Sequence, residues 1–310
     1  MDLNELQVFW TVAREKSFSR AAEKLYRTQP AISMSIRKLE EWVGEPVFVK
    51  GSRAGRLTGA GEMLLEYAER MLNLRDEAKR GLTELRGLDR GKLSMGVNES
   101  SIHALLLAFA RYRQLYPKVK ISVLRVFSRD IPSALLNYKL DLGVVSYDPG
   151  EPRLAAIPFM QDKLTFVVNP RHRLAKRRII DIGELGKEVF VAHIVDSQFR
   201  IRVIELFDKH HVPLNRAVEL PTIESIKRFV EMGMGVAIVP GMCVRHEVDQ
   251  GRLAEVKIRQ LNIPRRLFLV YRRDEKLSHA AVALLDLLVK GGNNAEGTVS
   301  GKDAGRKLRN

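Results

Sequence analysis

Cysteine is all but missing from this sequence: Cys243 is the single one in 310 residues. No internal disulfide can form, and a reducing cytoplasm is the expected setting. Long hydrophobic runs are missing too. Nothing approaches the roughly 18–20 apolar residues of a membrane span, so no membrane partner is expected. The opening Met1-Asp2-Leu3-Asn4-Glu5 is acidic and amphipathic, unlike a basic, apolar secretory signal. No repeat of fixed period occurs.

Catalytic patterns are equally scarce. There is no Gly-x-Ser-x-Gly elbow, no phosphate-loop signature and no Gly-x-Gly-x-x-Gly. Gly233-Met234-Gly235 lacks the third glycine and precedes a strand-like run instead of following one. His172 lies between Arg171 and Arg173, two cations that oppose a bound metal ion. Neither it nor the His210-His211 pair has a cysteine or carboxylate at ligand spacing. Cys243 has no clear histidine partner, so a structural thiol is expected. The sequence gives no catalytic residue, no metal and no cofactor, and a function other than catalysis is expected.

What is present is an ordinary globular composition, 45% hydrophobic and 29% charged, with a net charge of +15. The length suits two domains better than one. The charge invites a nucleic-acid reading, but its location tempers that. Residues 1–90 carry 16 Lys/Arg against 14 Asp/Glu, residues 91–289 carry 31 against 21, and residues 290–310 carry 5 against 2. If the first segment binds DNA, the placement of its cations matters more than their sum.

Residues 1–89 are nearly all helix-patterned, apart from Lys50-Gly51-Ser52-Arg53-Ala54-Gly55-Arg56. From Gly91, short β-branched runs alternate with helical stretches, as in an α/β sheet. The predicted strands are Leu93–Val97, Val119–Val126, Leu142–Ser146, Leu164–Val168, Val189–Ile194, Val236–Val239 and Leu267–Tyr271. The clearest helices between them are His103–Tyr116, Gln198–His210 and Ile223–Met232. Residues 290–310 lack apolar periodicity and are expected to form a disordered tail.

Within the first region, two short helices flank a break at Tyr26-Arg27-Thr28. On a wheel of about 100° per residue, Ile32, Ile36, Leu39 and Val43 share one arc, while Pro30, Ser33, Met34 and Arg37 lie opposite. Thr28 suits the N-cap, Pro30 the first turn and Gly44 a left-handed C-cap. Ala21 and Ala22, in a first helix from Ser19 to Leu25, allow close crossing. The unit reads as a helix-turn-helix whose second helix enters a major groove. Thr28 and Gln29 then stand near a phosphate, Ser33 and Arg37 donate to phosphates or base edges, and Pro30 and Met34 pack on thymine methyls. The plain alternative is a surface helix that is polar outside. Next, Val47–Val49 and Arg56–Leu57 bracket a Gly-rich turn with Arg53 at its tip, which suits a wing entering the minor groove. A solvated basic loop is the alternative. Residues 59–88 then form one long helix with a seam at Leu64, Tyr67, Met71, Leu74, Ala78, Leu85 and Leu88, which suits pairing with a second copy.

Taken together, Ser17-Phe18-Ser19-Arg20-Ala21-Ala22, Gln29-Pro30-Ala31-Ile32-Ser33, Ile36, Leu39-Glu40, Gly44, Phe48 and Leu57-Thr58-Gly59-Ala60-Gly61 resemble the N-terminus of LysR-type transcriptional regulators. Looser similarity runs to about residue 289 through "GKLSMGV", "YPKVKISV", "LDLGVV" and "VEMGMGVAIVPG". The resemblance implies an all-α winged helix-turn-helix over 1–58 and a dimerisation linker helix over 59–89. It further implies an α/β effector-binding domain over 90–289, similar to a type 2 periplasmic binding protein. Lobe I would be 90–161 with 266–289, and lobe II 162–265. The implied DNA-binding residues are Thr28, Gln29, Pro30, Ser33, Met34, Arg37, Arg53 and Arg56. The implied partners are double-stranded promoter DNA, a small-molecule effector, RNA polymerase, and further copies of the chain as a dimer of dimers. Two departures stand out. The family usually has arginine where Met34 stands, and its usual Thr-Glu-Ala-Gly is here Thr58-Gly59-Ala60-Gly61.

Ligands of open α/β lobes bind beyond the carboxyl ends of the strands. Asn98, Glu99, Ser100 and Ser101 follow the first strand and open a helix, which suits a carboxylate or another anion. Glu99 repels an anion and could instead receive an amine or hydroxyl. The resemblance adds Ser128, Ser146, Gln198 and Thr222 to the cleft, with a simple N-cap as the alternative for Thr222. Two rival functions remain at this point: an enzyme or transport-type binding protein built on the α/β half, and a sequence-blind architectural DNA protein.

Overall fold

The computed structural model describes residues 1–49, 55–84, 91–195 and 197–292. The chain begins with α1 (Leu3–Glu15), started by a reciprocal cap. The Asp2 carboxylate accepts from the Asn4 and Glu5 amides at 2.8 and 2.7 Å, and Glu5 accepts from the Asp2 amide at 2.9 Å. Ser17 caps α2 (Phe18–Lys24), and Thr28 caps α3 (Gln29–Val43) with Pro30 in its first turn. The first helix of the pair thus starts and ends one residue before its predicted limits, because the Ser17 hydroxyl takes the Arg20 amide. Gly44 ends α3 at φ +83°, a left-handed conformation that suits glycine.

These helices share one core. Leu6, Phe9 and Val12 of α1 pack with Ala21, Ala22, Ile32, Ile36 and Leu39, each large apolar side chain contributing about 1.5–3 kcal/mol. Phe48 closes this core, its ring 5.5 Å from Phe9 and 5.3 Å from Phe18. The two arms of the wing pair through Phe48 and Leu57, with Val49 donating to the Arg56 carbonyl at 2.8 Å. The tip, residues 50–54 with Arg53, lies outside the described residues. Glu40 of α3 fixes the first arm by accepting from the Val47 amide at 2.9 Å.

Thr58 starts α4 (Gly59–Glu84), accepting from the Gly61 amide. Gly61 is obligatory by contact: a Cβ there would lie 2.0 Å from the Val47 carbonyl oxygen. Along α4, Ala68 and Leu72 are buried, while Met63, Tyr67, Met71, Leu74 and Leu82 are exposed. Leu64, placed on the outer seam by its spacing, instead packs partly buried against the helical core. Leu85 and Leu88 lie outside the described residues. The inner side of α4 also meets the α/β part. Asn73 donates to the Asn137 carbonyl at 2.8 Å, Lys139 pairs with Glu69 at 2.8 Å, and Glu77 pairs with the buried Arg272.

The α/β part has two lobes. In the first, β1 (Lys92–Val97) lies between β2 (Lys120–Arg125) and β3 (Leu142–Val145), all parallel. A 3-10 turn over Glu99–Ala104 leads from β1 into α5 (Leu106–Leu115), and α6 (Ile131–Leu136) precedes β3. The predicted His103–Tyr116 helix is therefore the union of a tight turn and a shorter α-helix. The strand β4 (Leu154–Val168) then carries the chain from one lobe to the other. Lobe II adds β5 (Ile179–Ile180), β6 (Val191–His193), α7 (Gln198–Lys209), β7 (Val218–Leu220) and α8 (Ile223–Glu231). It continues through β8 (Ala237–Pro240), α9 (Arg245–Asp249) and β9 (Ala254–Ile258). The return strand β10 (Pro264–Arg272) pairs antiparallel with β4 and β3, and α10 (His279–Gly292) closes lobe I. α10 runs three residues into the stretch expected to be tail, because Leu284, Leu285 and Leu288 dock on the lobe I core and carry the helix to its Gly-Gly end. Residues 293–310 lie outside the described residues.

The sheet order is β2-β1-β3-β10-β4-β9-β5, with β8 also on β4 and β6-β7 as a separate pair. One face of the lobe I strands buries Leu93, Met95, Leu142 and Leu267 with Tyr112 and Leu284. The lobe II core gathers Phe166, Phe190, Phe207 and Val256. Between the two lobes the carboxyl ends of β1, β2 and β6 open on a common cleft.

Candidate functional site

The first candidate surface is α3. Its buried side holds Ile32, Ile36 and Leu39, and its other side holds Met34, 60% exposed, with Gln29, Pro30 and Arg37 also exposed. Ser33 sits half-buried at the edge of that row. Thr28 supplies the cap, its hydroxyl accepting from the Ala31 amide at 3.4 Å. Pro30 has no N–H, the Ala31 amide is taken by the cap and the Ile32 amide by the Thr28 carbonyl at 3.1 Å, so it is the Gln29 amide that opens at the start of α3. Arg56 is exposed on the second arm of the wing. The row is convex and one helix wide, a shape that fits a major groove. The sequence marks Tyr26 as part of the break and not as a site residue. It occupies the turn at φ +53° and is 97% exposed, next to the start of the row. Its only sequence signal is its place one residue before Arg27-Thr28.

The second candidate is the interlobe cleft, a cavity of about 670 Å³. Six of the eight sequence candidates line it: Asn98, Glu99, Ser100, Ser128, Ser146 and Gln198. Ser101 and Thr222 stand behind the wall. Ser101 is fully buried and accepts from Arg265 at 3.2 Å, and Thr222 caps α8 by accepting from the Ser225 amide at 3.1 Å. Asn98 holds the β1 end in shape. It donates to the Ser128 hydroxyl at 2.7 Å and accepts from the Ser101 amide at 2.9 Å.

Glu99 makes one of the contacts between the lobes. From lobe I its carboxylate accepts the Ile223 amide at the start of α8 at 2.8 Å, and it lies 3.3 Å from His193 Nε2. The Val195 amide donates to His193 Nδ1 at 3.0 Å, so Nε2 carries the proton directed at Glu99. Arg125 completes the set, donating to Glu99 at 2.9 Å and to the Pro221 carbonyl at 3.3 Å. Glu99 therefore does not stand as a lone negative charge in the cleft. It fills a carboxylate site made by a helix N-terminus, a guanidinium and an imidazole.

At the hinge side lies Arg265, which the sequence did not mark as a site residue. It is 2% exposed, pairs with Asp162 at 3.2 Å, and donates to Ser100 and Ser101. Burial pulls its guanidinium below the usual value, and Asp162 opposes that shift. Its Nε is buried with no partner. The ring of Phe199 lies 5.6 Å from its guanidinium carbon. Nearby, burial pushes the Cys243 thiol up to about 12, and its Sγ donates to the Ser100 carbonyl at 3.6 Å. A thiol so protonated is a poor nucleophile. Among the described residues no helix is long and apolar enough to cross a membrane, and no group of three His, Cys, Asp or Glu could hold a metal ion.

Comparison with known proteins decides the family. Residues 3–62 match the bacterial regulatory helix-turn-helix protein, lysR family, and residues 86–292 match the LysR substrate binding domain. The chain belongs to the LysR family of transcriptional regulators. Among LysR relatives, a probable RuBisCO transcriptional regulator of Trichormus variabilis is 31% identical over 290 residues, 91% of this chain and 86% of the relative. The LysR regulator CbnR has the same fold, at a TM-score of 0.72 and 20% identity over 94% of this chain and 99% of its own. The Synechocystis CcmR regulatory domain, solved with 2-PG, has a TM-score of 0.61 and 26% identity, covering 66% of this chain and 99% of its own. The LysR match and the two-lobed α/β fold agree with the fold class inferred from the residues.

Proposed function

We propose that this LysR-family chain binds duplex promoter DNA through α3 and the wing, and changes transcription when a small molecule occupies the interlobe cleft. The observation that carries the reading is the split of α3 into a buried Ile32-Ile36-Leu39 side and an outward Gln29-Pro30-Ser33-Met34-Arg37 side, capped by Thr28 and flanked by Arg56. The division into a DNA-binding domain over 1–58, a linker helix over 59–89 and an effector domain over 90–289 belongs to the same proposal, as does a cytoplasmic, non-enzymatic role. The exposed Tyr67, Met71 and Leu74 on α4 support pairing with a second copy through that helix. Effector-domain contacts would then join two such dimers, with heads reading half-sites about 34 Å apart or a multiple of that. The 2-PG in the CcmR structure supports a small-molecule effector here, in a cleft whose lining includes Arg125, Arg200 and Arg265.

Gel retardation of the gene's own upstream DNA tests the reading. A sequence-reading regulator should prefer that DNA over an unrelated duplex by roughly 10³ or more at matched salt. Equal affinity for both would return the architectural alternative, and no retardation at all would return the enzyme or binding-protein alternative.

A further inference from the structure

The cleft has a character that the general reading does not specify. Its walls are largely apolar: Phe127, Phe190, Phe199, Ile204, Leu214 and Ile238 face the cavity, which extends beneath α7. At about 670 Å³ it is far roomier than a two- or three-carbon acid needs. At the hinge side Arg265 and Ser100 meet the start of α7, where the Gln198 and Phe199 amides have no acceptor within the helix, while Arg125, Arg129, His193, Arg200 and Arg216 stand elsewhere in the lining. The Phe199 ring over the Arg265 guanidinium marks the boundary between the two zones.

Charge points the same way. The lining carries Arg125, Arg129, Arg200, Arg216 and Arg265 against Glu99 and Asp130. Glu99 is already satisfied by Ile223, His193 and Arg125, so it does not exclude an acid from the far end. Arg265 is held on one side by Asp162, and its Nε is buried without a partner.

We propose that the effector is an amphipathic organic acid, with an acid group at the Arg265–Ser100–α7 end and its apolar body along the lobe II wall. This rests on the reading of the cleft as the sensing site, and it sets the ligand apart from small, wholly polar anions such as sugar phosphates.

Calorimetry on the full-length chain tests it with 4-phenylbutyrate, decanoate, 4-phenylbutyramide and glycerol 3-phosphate. The carboxylates should bind saturably, and 4-phenylbutyrate should bind at least about tenfold more tightly than its neutral amide or glycerol 3-phosphate. Leu214→Trp, which fills the apolar zone, should weaken both carboxylates by at least about tenfold. Gln198→Glu places a negative charge at an exposed helix start that tolerates one, so it should weaken them similarly without unfolding the lobe. Absence of saturable carboxylate binding overturns the proposed class. Tighter binding of glycerol 3-phosphate, lost in Gln198→Glu, also overturns the class while leaving the cleft as the sensor. Carboxylate binding indifferent to both substitutions overturns the cleft reading itself.

Discussion

The reading helix and the cleft handle polar groups in opposite ways. On α3 the outward Met34 and Arg37 are exposed to solvent, and the helix beneath them is held by Ile32, Ile36 and Leu39. In the cleft the central polar groups are largely engaged with one another: Glu99 with Ile223 and Arg125, and Arg265 with Asp162, Ser100 and Ser101. A surface of the first kind is preformed and asks of its partner only a matching shape. One of the second kind is closed on itself, so a ligand acts by displacing or rearranging contacts that already hold the lobes together. Stability and recognition are therefore separable on α3 and entangled in the cleft.

Substitutions can break that contrast. The largest stability effect is expected for Arg265→Met, which strands the buried Asp162 carboxylate. Urea unfolding should show a loss of about 3–5 kcal/mol. Retention of wild-type stability would mean the pair is not what secures the lobe junction. On α3, Ile36→Ala should cost about 2–4 kcal/mol of folding stability. Its neighbour Arg37→Ala should leave folding unchanged and cost about 1–3 kcal/mol of specific DNA binding, read by retardation at fixed salt. Should both substitutions act on stability alone, the separation claimed for α3 fails. Glu99→Ala leaves the Ile223 amide and the α8 start without their carboxylate, and about 1–2 kcal/mol of stability should go with it. A calorimetric melt unchanged from wild type would show that the lobes are held elsewhere.

The smallest effect concerns Cys243. Its thiol value is raised from the ordinary 9.0 to about 12 by burial. The folded chain keeps that proton where an unfolded one loses it, so this contribution is fully present below pH 9 and lost as the pH rises towards 12. Iodoacetamide at pH 8 should label Cys243 only after unfolding, and Cys243→Ser should leave DNA binding within about twofold of wild type. Fast labelling of the native chain, or DNA binding that responds to peroxide through this residue, would contradict the buried thiol.

The same contrast governs what could be read from the sequence. The limits and faces of α3 follow from Thr28, Pro30, Gly44 and a 3.6-residue apolar period, all local signals. The cleft brings together Glu99, Arg125, His193, Gln198 and Arg265, and no local spacing links positions that far apart. Strand ends point to the Asn98–Ser101 turn, but Arg265 stands next to Arg266 at the start of β10, ahead of the Leu267–Tyr271 run, and looks like an edge charge. Its two-sided burial appears only once β10 lies beside β4. The first half of β4 was missed because Pro158, Gln161, Asp162 and Lys163 break the apolar pattern where the strand passes between lobes. The helix α6 was missed because six residues, with Pro132 in the first turn, are too few for a periodic signal.

The most direct test of the DNA-reading claim is selection from a random duplex pool by the wild-type chain and by Met34→Arg. Met34 lies 60% exposed in the centre of the outward row, so the substitution should leave folding intact while changing the bases preferred in each half-site. Recovery of the same motif by both proteins, at equal stringency and salt, would remove that face of α3 from the DNA and contradict the account.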